Sequence, residues 1–232
     1  MQETVESIRN YGVLMPGIAR PRAEGGYEII AGHRRKHGCE LACLSTMPMF
    51  IRDHNDDEAT VIMVDTNIQR EDILPSEKAR AYSMKYEAMK HQGKKGKGSS
   101  LDEVGEAAGE SGKTVQRYIW LARLSDELLG MVDQKKIGLV QGVDISFLTE
   151  QEQEWVQVIL EETGASVSTA QSSKLKEYGK NGELTLPMVR MILTEEKPKE
   201  RKVTIKADKN SKYFTEDYSS AVSYTHLTLP TT

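Results

Sequence analysis

Apolar positions follow two different rules along this chain. Up to about residue 70, short apolar runs alternate with helical stretches; beyond Pro75, helical spacing alone recurs. Residues 4–11 carry a helical pattern that stops at Gly12, a residue suited to a C-cap. Val13 to Arg20 reads as an extended, proline-broken segment, and Glu24-Gly25-Gly26 as a turn. A strand is predicted over 27–31 and a helix over 33–44. Met47 to Arg52 predicts a second strand behind a Thr-Met-Pro break. Asp56 to Gln69 predicts a helix, with Ala59, Ile62 and Met63 on one side and Thr66 next in register. This αβαβα order describes a small α/β domain over residues 1–72.

Asp72-Ile73-Leu74-Pro75 marks a junction, because proline favours a helix start. Ala79, Tyr82, Tyr86 and Met89 then recur at helical spacing and make one apolar face. Gly93-Lys94-Lys95-Gly96-Lys97-Gly98 predicts a basic, glycine-rich loop. Helices continue to about residue 196, and Thr149 with Glu152 makes a capping-box pattern ahead of Trp155, Val156, Ile159 and Leu160. The expected class is therefore α+β: a small N-terminal α/β domain, then an all-helical domain over 73–196. Residues 197–222 are charged and weakly patterned, a tail or the start of an incomplete domain. Residues 223–232 carry no formal charge and are rich in threonine. They read as non-native sequence and are set apart from the fold.

Composition narrows the class. With 38% apolar and 28% charged residues, and no apolar run near the ~18 residues that cross a membrane, the chain reads as soluble with no membrane partner. Its acidic start lacks the basic and apolar regions of a signal peptide, which points to the cytoplasm. A net charge of −4 does not by itself suggest nucleic acid. The charge is uneven, however: residues 73–125 hold ten Lys/Arg against six Asp/Glu, so a basic surface is expected there. Cys39 and Cys43 share the predicted helix 33–44 with His33 and His37. At ~100° per residue the two pairs lie on different sides, so the four cannot hold one ion, and the cysteines read as small buried thiols.

Candidate chemistry begins at Gly32-His33-Arg34-Arg35. Two arginines stand in the first turn of a helix, where the dipole is already positive and backbone N–H groups are unpaired. That arrangement asks for an anion, a phosphate above all. Asn67-Ile68-Gln69-Arg70 adds amide and guanidinium donors at another helix end; they suit ordinary capping, or the second half of a nucleotide pocket.

Ala107-Ala108-Gly109-Glu110-Ser111-Gly112-Lys113-Thr114 imitates a P-loop but lacks its first glycine and follows a helical rather than a strand pattern. The same residues fit a helix-turn-helix over about 101–122. Leu101, Val104 and Ala108 line the first helix, Gly109 makes the turn, and Val115, Tyr118 and Ile119 face inward on the second. Gly105 takes the close-contact position. Ser111, Lys113, Thr114, Gln116 and Arg117, with Trp120 beside them, face outward as donors for phosphates and base edges. An ordinary αα-hairpin with a solvated face is the plain alternative.

Taken in order, these motifs resemble the ParB/RepB partition-protein family. Val5 to Pro16 is similar to its first box, Gly32-His33-Arg34-Arg35 to its G-E-R-R box, and Asn67 to Pro75 to E-N-x-Q-R-x-D-L-x-P. The helix-turn-helix follows where the family has it, so the resemblance covers about residues 4–165. It implies a sulfiredoxin-like N-terminal domain that binds CTP with Mg2+. It also implies palindromic double-stranded DNA read by the helix-turn-helix, a homodimer in the intact protein, a ParA-type Walker ATPase partner and association with the nucleoid. Carried over by motif, Arg34 and Arg35 hold the triphosphate beside His33, Asn67 the magnesium or phosphates, Gln69 and Arg70 support the pocket, and Gly32 permits close backbone approach.

Two departures stand out. Thr66 occupies the position of the family's Glu, with Asp65 one residue earlier, and His33 replaces the Glu of G-E-R-R. Both bear on CTP hydrolysis more than on binding, so the chain is expected to be primarily a DNA-binding protein with at most a weak CTPase activity. The resemblance begins inside the first box, lacks the family's first strand and stops before its C-terminal domain, so an interior fragment is expected, of the mobile-element or plasmid type. Two other functions compete: a helix-turn-helix transcriptional regulator without a partition role, and a ParB-like nuclease using Asp53, His54, Asp56 and Asp57 as a metal cluster.

Overall fold

Gly17–Pro21 runs as β1 at the centre of a three-stranded sheet, between β2 (Tyr27–Ala31) and β3 (Met49–Ile51). The apolar pattern predicted only extended chain there, because prolines flank a segment whose apolar side chains are just Ile18 and Ala19. Pairing supplies what pattern lacks: β1 runs antiparallel to β2 and parallel to β3. Pro21 ends the strand, where a missing N–H does least harm. Gly17 is required by close approach, since a Cβ there would lie 2.6 Å from Met49 Sδ and 2.9 Å from the Ala31 carbonyl oxygen. The computed structural model describes residues 2–195 except 71 and 93–99. The basic loop expected at 93–98 and all that was expected of 197–232 fall outside the described residues.

Three helices accompany this sheet. α1 (Gln2–Tyr11) ends at Gly12, in the left-handed region with φ 72°, and buries Ile8 against Gly38 of α2 (His33–Leu41). Arg9 Nη2 donates to the Leu41 carbonyl at 3.1 Å, closing the exposed end of α2. α2 is shorter than the predicted 33–44. Cys43 adopts φ 60° and the Leu44 N–H reaches back to the Cys39 carbonyl at 2.9 Å, a Schellman ending. Consequently only Cys39 is a buried thiol; Cys43 is exposed.

α3 (Asp56–Ile68) is started by a capping box in which Asn55 Oδ1 accepts from the Glu58 N–H at 2.8 Å. Its dry face differs from the predicted one. Val64 and Ile68 are buried, Ala59, Ile62 and Met63 only partly so, and Thr66 is exposed. The cause is tertiary: α3 packs against both β2 and α4 (Pro75–His91), and the row meeting α4 is the one that dries.

α4 starts at Pro75 as expected and buries Ala79 and Tyr82 completely. Helices α5 (Ser100–Glu106) and α6 (Gly112–Leu121) pack on it. Val64 and Ile68 of α3, Tyr82, Val104 and Val115 form one core cluster, so residues on both sides of the expected boundary at 72 share a dry interior. The remaining helices, α7 (Asp126–Asp133), α8 (Leu139–Ile145), α9 (Glu150–Thr163), α10 (Thr169–Asn181) and α11 (Leu186–Thr194), enclose a second core. Leu128, Ile145, Ile159, Leu175 and Ile192 are among its largest fully buried members. Thr149 caps α9 in the expected box with Glu152, whose Oε2 accepts from the Thr149 N–H at 2.8 Å. A small sheet with many helices confirms the α+β class. No helix among the described residues is long and apolar enough to cross a membrane.

The two faces of α9 predict different mutational costs. Ile159 is fully buried, and Ile159→Ala is expected to lower unfolding stability by roughly 2–5 kcal/mol. Val158 next to it is exposed, and Val158→Ala should stay within about 0.5 kcal/mol. Urea unfolding of both variants checks the difference.

Candidate functional site

The start of α2 and the end of α3 meet. Gly32 precedes α2 with φ 113°, and a Cβ there would lie 3.1 Å from Gly17 Cα, so only glycine brings the chain this close to β1. The first turn of α2 has no side-chain cap and no acidic residue. Its N–H groups and positive dipole end therefore open into a cleft of about 420 Å³. Ile30, Ala31, Gly32, His33, Arg34 and Arg35 form one wall; Met63, Thr66, Asn67 and Arg70 form the other. Two motifs more than thirty residues apart in sequence thus share one space.

The predicted residues divide within it. Among the described residues, the side chains of Arg34 and Arg70 have no hydrogen-bond or ion-pair partner, so both cations are free for an anion. Arg35 is committed elsewhere: its Nη1 donates to the carbonyls of Met15 and Pro16, at 2.6 Å each, and pins the loop that leads into β1. It buttresses the cleft while still lining it. Gln69 does not line the cleft; its backbone N–H closes α3 on the Asn67 carbonyl and its side chain is exposed. Thr66 lines the wall with its hydroxyl already donated to the carbonyls of Ile62 and Met63, 3.0 Å from each.

The donor set fits a polyphosphate and does not fit magnesium. Mg2+ is usually held by one or two carboxylates together with substrate phosphates, and among the described residues no carboxylate lines this cleft. Asp65, the displaced carboxylate, points the other way and pairs with Lys85 of α4 at 2.5 Å. Asn67 alone is a neutral amide and makes no metal site. Nor do Asp53, His54, Asp56 and Asp57 gather: Asp56 pairs with Arg20 at 2.7 Å, His54 with Glu58 and Asp57 with His91. No group of three or more metal-ligating side chains converges among the described residues.

The second polar surface belongs to α5 and α6. Gly109 makes the turn between them with φ 65°. Gly105 lets the helices touch; a Cβ there would lie 2.3 Å from the Glu110 carbonyl oxygen and 2.9 Å from Val115 Cγ2. Asp102 Oδ1 accepts from the Gly112 N–H at 2.8 Å, fixing the start of α6 on α5. Val115 is fully buried, and Tyr118 and Ile119 pack beside it, as the inward positions predicted. On the outer face Lys113, Gln116, Arg117 and Trp120 line a groove of about 460 Å³ with Leu101 and Asp102. Ser111 and Thr114 are spent locally. Ser111 Oγ accepts from the Thr114 N–H at 3.3 Å and contacts its hydroxyl at 3.0 Å, so these two cap α6 rather than line the groove.

Sequence reasoning missed the residues that join the two surfaces. Lys78 of α4 pairs with Glu110 in the turn and lies over the Tyr118 ring, 5.2 Å from its centroid. Tyr82 lies fully buried behind them, and burial together with the Glu110 carboxylate pushes its phenol far above the usual value. Lys85 stands seven residues after Lys78, on the same side of α4. The available signal was Lys85's place inside the apolar row Tyr82, Tyr86, Met89, where a solvated lysine does not belong.

A cationic cleft beside a small sheet thus shares a core with the α5–α6 helix pair. Residues 1–68 match the ParB N-terminal domain family. The probable chromosome 1-partitioning protein ParB of Deinococcus radiodurans is 33% identical over 181 residues, covering 78% of this chain and 59% of that protein. The chromosome-partitioning protein Spo0J of Thermus thermophilus is 30% identical over 172 residues, covering 74% of this chain and 60% of that protein. A C-terminally truncated ParB from Caulobacter crescentus, complexed to the centromeric parS site, aligns with a TM-score of 0.49 at 23% identity, over 76% of this chain and 88% of that one. The chain belongs to the ParB family, and it spans about 60% of the length of the partition proteins it matches.

Two glycines of the helix pair separate steric from conformational demand. Gly109→Ala meets no atom within 4 Å and should cost only the left-handed backbone penalty, about 1–2 kcal/mol. Gly105→Ala forces α5 away from the Glu110 carbonyl and is expected to lower the melting temperature by more than Gly109→Ala does. Thermal unfolding followed by circular dichroism compares the two.

Proposed function

We propose that this protein is a DNA-binding partition adaptor whose N-terminal cleft takes a nucleotide. Residues 1–72 supply the cleft and residues 73–196 the DNA-facing surface. The observation that carries this reading is the convergence of Arg34, Arg70 and the uncapped start of α2 in one cleft, joined through a shared core to the helix-turn-helix. Backbone N–H groups and two guanidinium groups without a partner among the described residues suit a chain of phosphates. CTP is the nucleotide that the family resemblance implies, and Asn67, which lines the same cleft, is read as a donor to its phosphates.

DNA binding follows from the outer face of α6. Lys113 and Arg117 offer charge to phosphates or guanine edges, and Gln116 offers an amide pair suited to adenine. The curated relatives are chromosome-partitioning proteins, which supports a duplex partner, a place on the nucleoid and movement by a ParA-type ATPase. A homodimer suits a palindromic site, because half-site symmetry mirrors protein symmetry. The cleft reads as a binding switch: Thr66 brings no free carboxylate and Asp65 is tied to Lys85, so ligand occupancy and not turnover is its output.

Calorimetry with CTP, ATP and GTP in magnesium buffer tests the cleft. CTP should bind in preference to the other two, and Arg34→Ala should weaken it roughly 10- to 100-fold, the size of a charge-assisted hydrogen bond. Equal indifference to all three nucleotides overturns the switch. Gel-shift titration against palindromic duplexes tests the second surface. Arg117→Ala and Lys113→Ala should each weaken binding, and a phosphate-contacting residue should reduce the salt slope by about 1. Absence of any sequence preference, with or without CTP, overturns the partition reading.

A further inference from the structure

Lys85 is the most constrained charge among the described residues. Its side chain is only 4% exposed. The ammonium donates to Asp65 Oδ1 at 2.5 Å and to the Val104 carbonyl at 3.1 Å. Asp65 belongs to α3, Lys85 to α4 and Val104 to α5, so one buried cation holds three helices at once. Thr66 and Asn67, the next two residues after Asp65, stand in the wall of the cleft. Val104 belongs to the first helix of the helix-turn-helix and sits in the same core cluster as Val115 of α6.

A buried ammonium tolerates little displacement of its partners, because each lost contact leaves charge unmet in a poorly solvated interior. A shift of α3 that moves Asp65 must therefore be matched by Lys85, and with it by the Val104 carbonyl. We propose that Lys85 is a positioning residue that transmits occupancy of the cleft to the helix-turn-helix: ligand contacts at Asn67 and Arg70 bias α3, and the Asp65–Lys85–Val104 link carries that bias to α5. The inference rests on the reading of the cleft as a nucleotide site and adds the residues that carry its signal. The same geometry explains why Asp65 does not reach the cleft, since its carboxylate is the counter-ion of Lys85. The second lysine of α4, Lys78, holds Glu110 just before α6, so α4 grips the helix pair at two points, and of these two lysines Lys85 is the one that also grips α3.

The test is a coupling measurement on the full chain. DNA affinity is measured with and without saturating CTP for wild type, Lys85→Met and Asp65→Asn, with CTP affinity and melting temperature recorded for each. In the wild type CTP should change the DNA dissociation constant at least about fivefold, the lower end of typical coupling. Both variants should still bind CTP and DNA separately, with the ratio falling to within about twofold of unity. A purely structural role lowers the melting temperature and leaves the ratio intact; an intact ratio in both variants overturns the proposal. Asp65→Asn keeps the side-chain shape and decides the matter if Lys85→Met does not fold. A wild type that binds both ligands without coupling also overturns it, whereas a wild type that binds no nucleotide overturns the reading of the cleft itself.

Discussion

A charge removed from water has to be met by opposite charge and hydrogen bonds at short range, and Lys85 imposes that demand on the middle of this molecule. Its ammonium is satisfied by a carboxylate on α3 and a carbonyl on α5. The shared core of Val64, Ile68, Tyr82, Val104 and Val115 closes around the same junction. Hydrophobic burial brings these helices together without direction; the ion pair fixes their register. Both polar surfaces hang on this joint, the cleft through the residues that follow Asp65 and the α6 groove through α5.

The cleft obeys a complementary rule. Positive charge at a helix N-terminus is unfavourable unless an anion answers it. Arg35 resolves its share internally by donating to the Met15 and Pro16 carbonyls. Arg34 and Arg70 find no partner among the described residues, and that unanswered charge is what supports the proposed anion site. Among the described residues its walls hold no carboxylate, and its uncapped helix start and guanidinium groups suit an anion.

Much of the fold was legible in the sequence because local rules sufficed. The helix starting at Pro75, the capping box at Thr149 and Glu152, the turn at Gly109 and the close contact at Gly105 are each set by residues a few positions apart. The strand at the sheet centre was less legible, since Gly17–Pro21 is defined by its neighbours on both sides and not by its own alternation. The end of α2 at Leu41, the exposed Cys43 and the dry row of α3 likewise depend on what packs against them.

The same division runs through the site. By itself, the sequence determined that a helix would begin with glycine and two arginines, that a second donor-rich segment would end another helix, and that a helix-turn-helix would present Lys113, Gln116 and Arg117. These follow from backbone geometry and periodicity, which are local. Only the tertiary structure decided that the two donor segments share one cleft, that Arg35 also pins the loop before β1, that Gln69 lies outside the cleft, that Ser111 and Thr114 cap α6, and that Asp65 pairs with Lys85. Where a charge finds its partner is a property of distances across the fold, and those distances exist only once the chain has closed on itself.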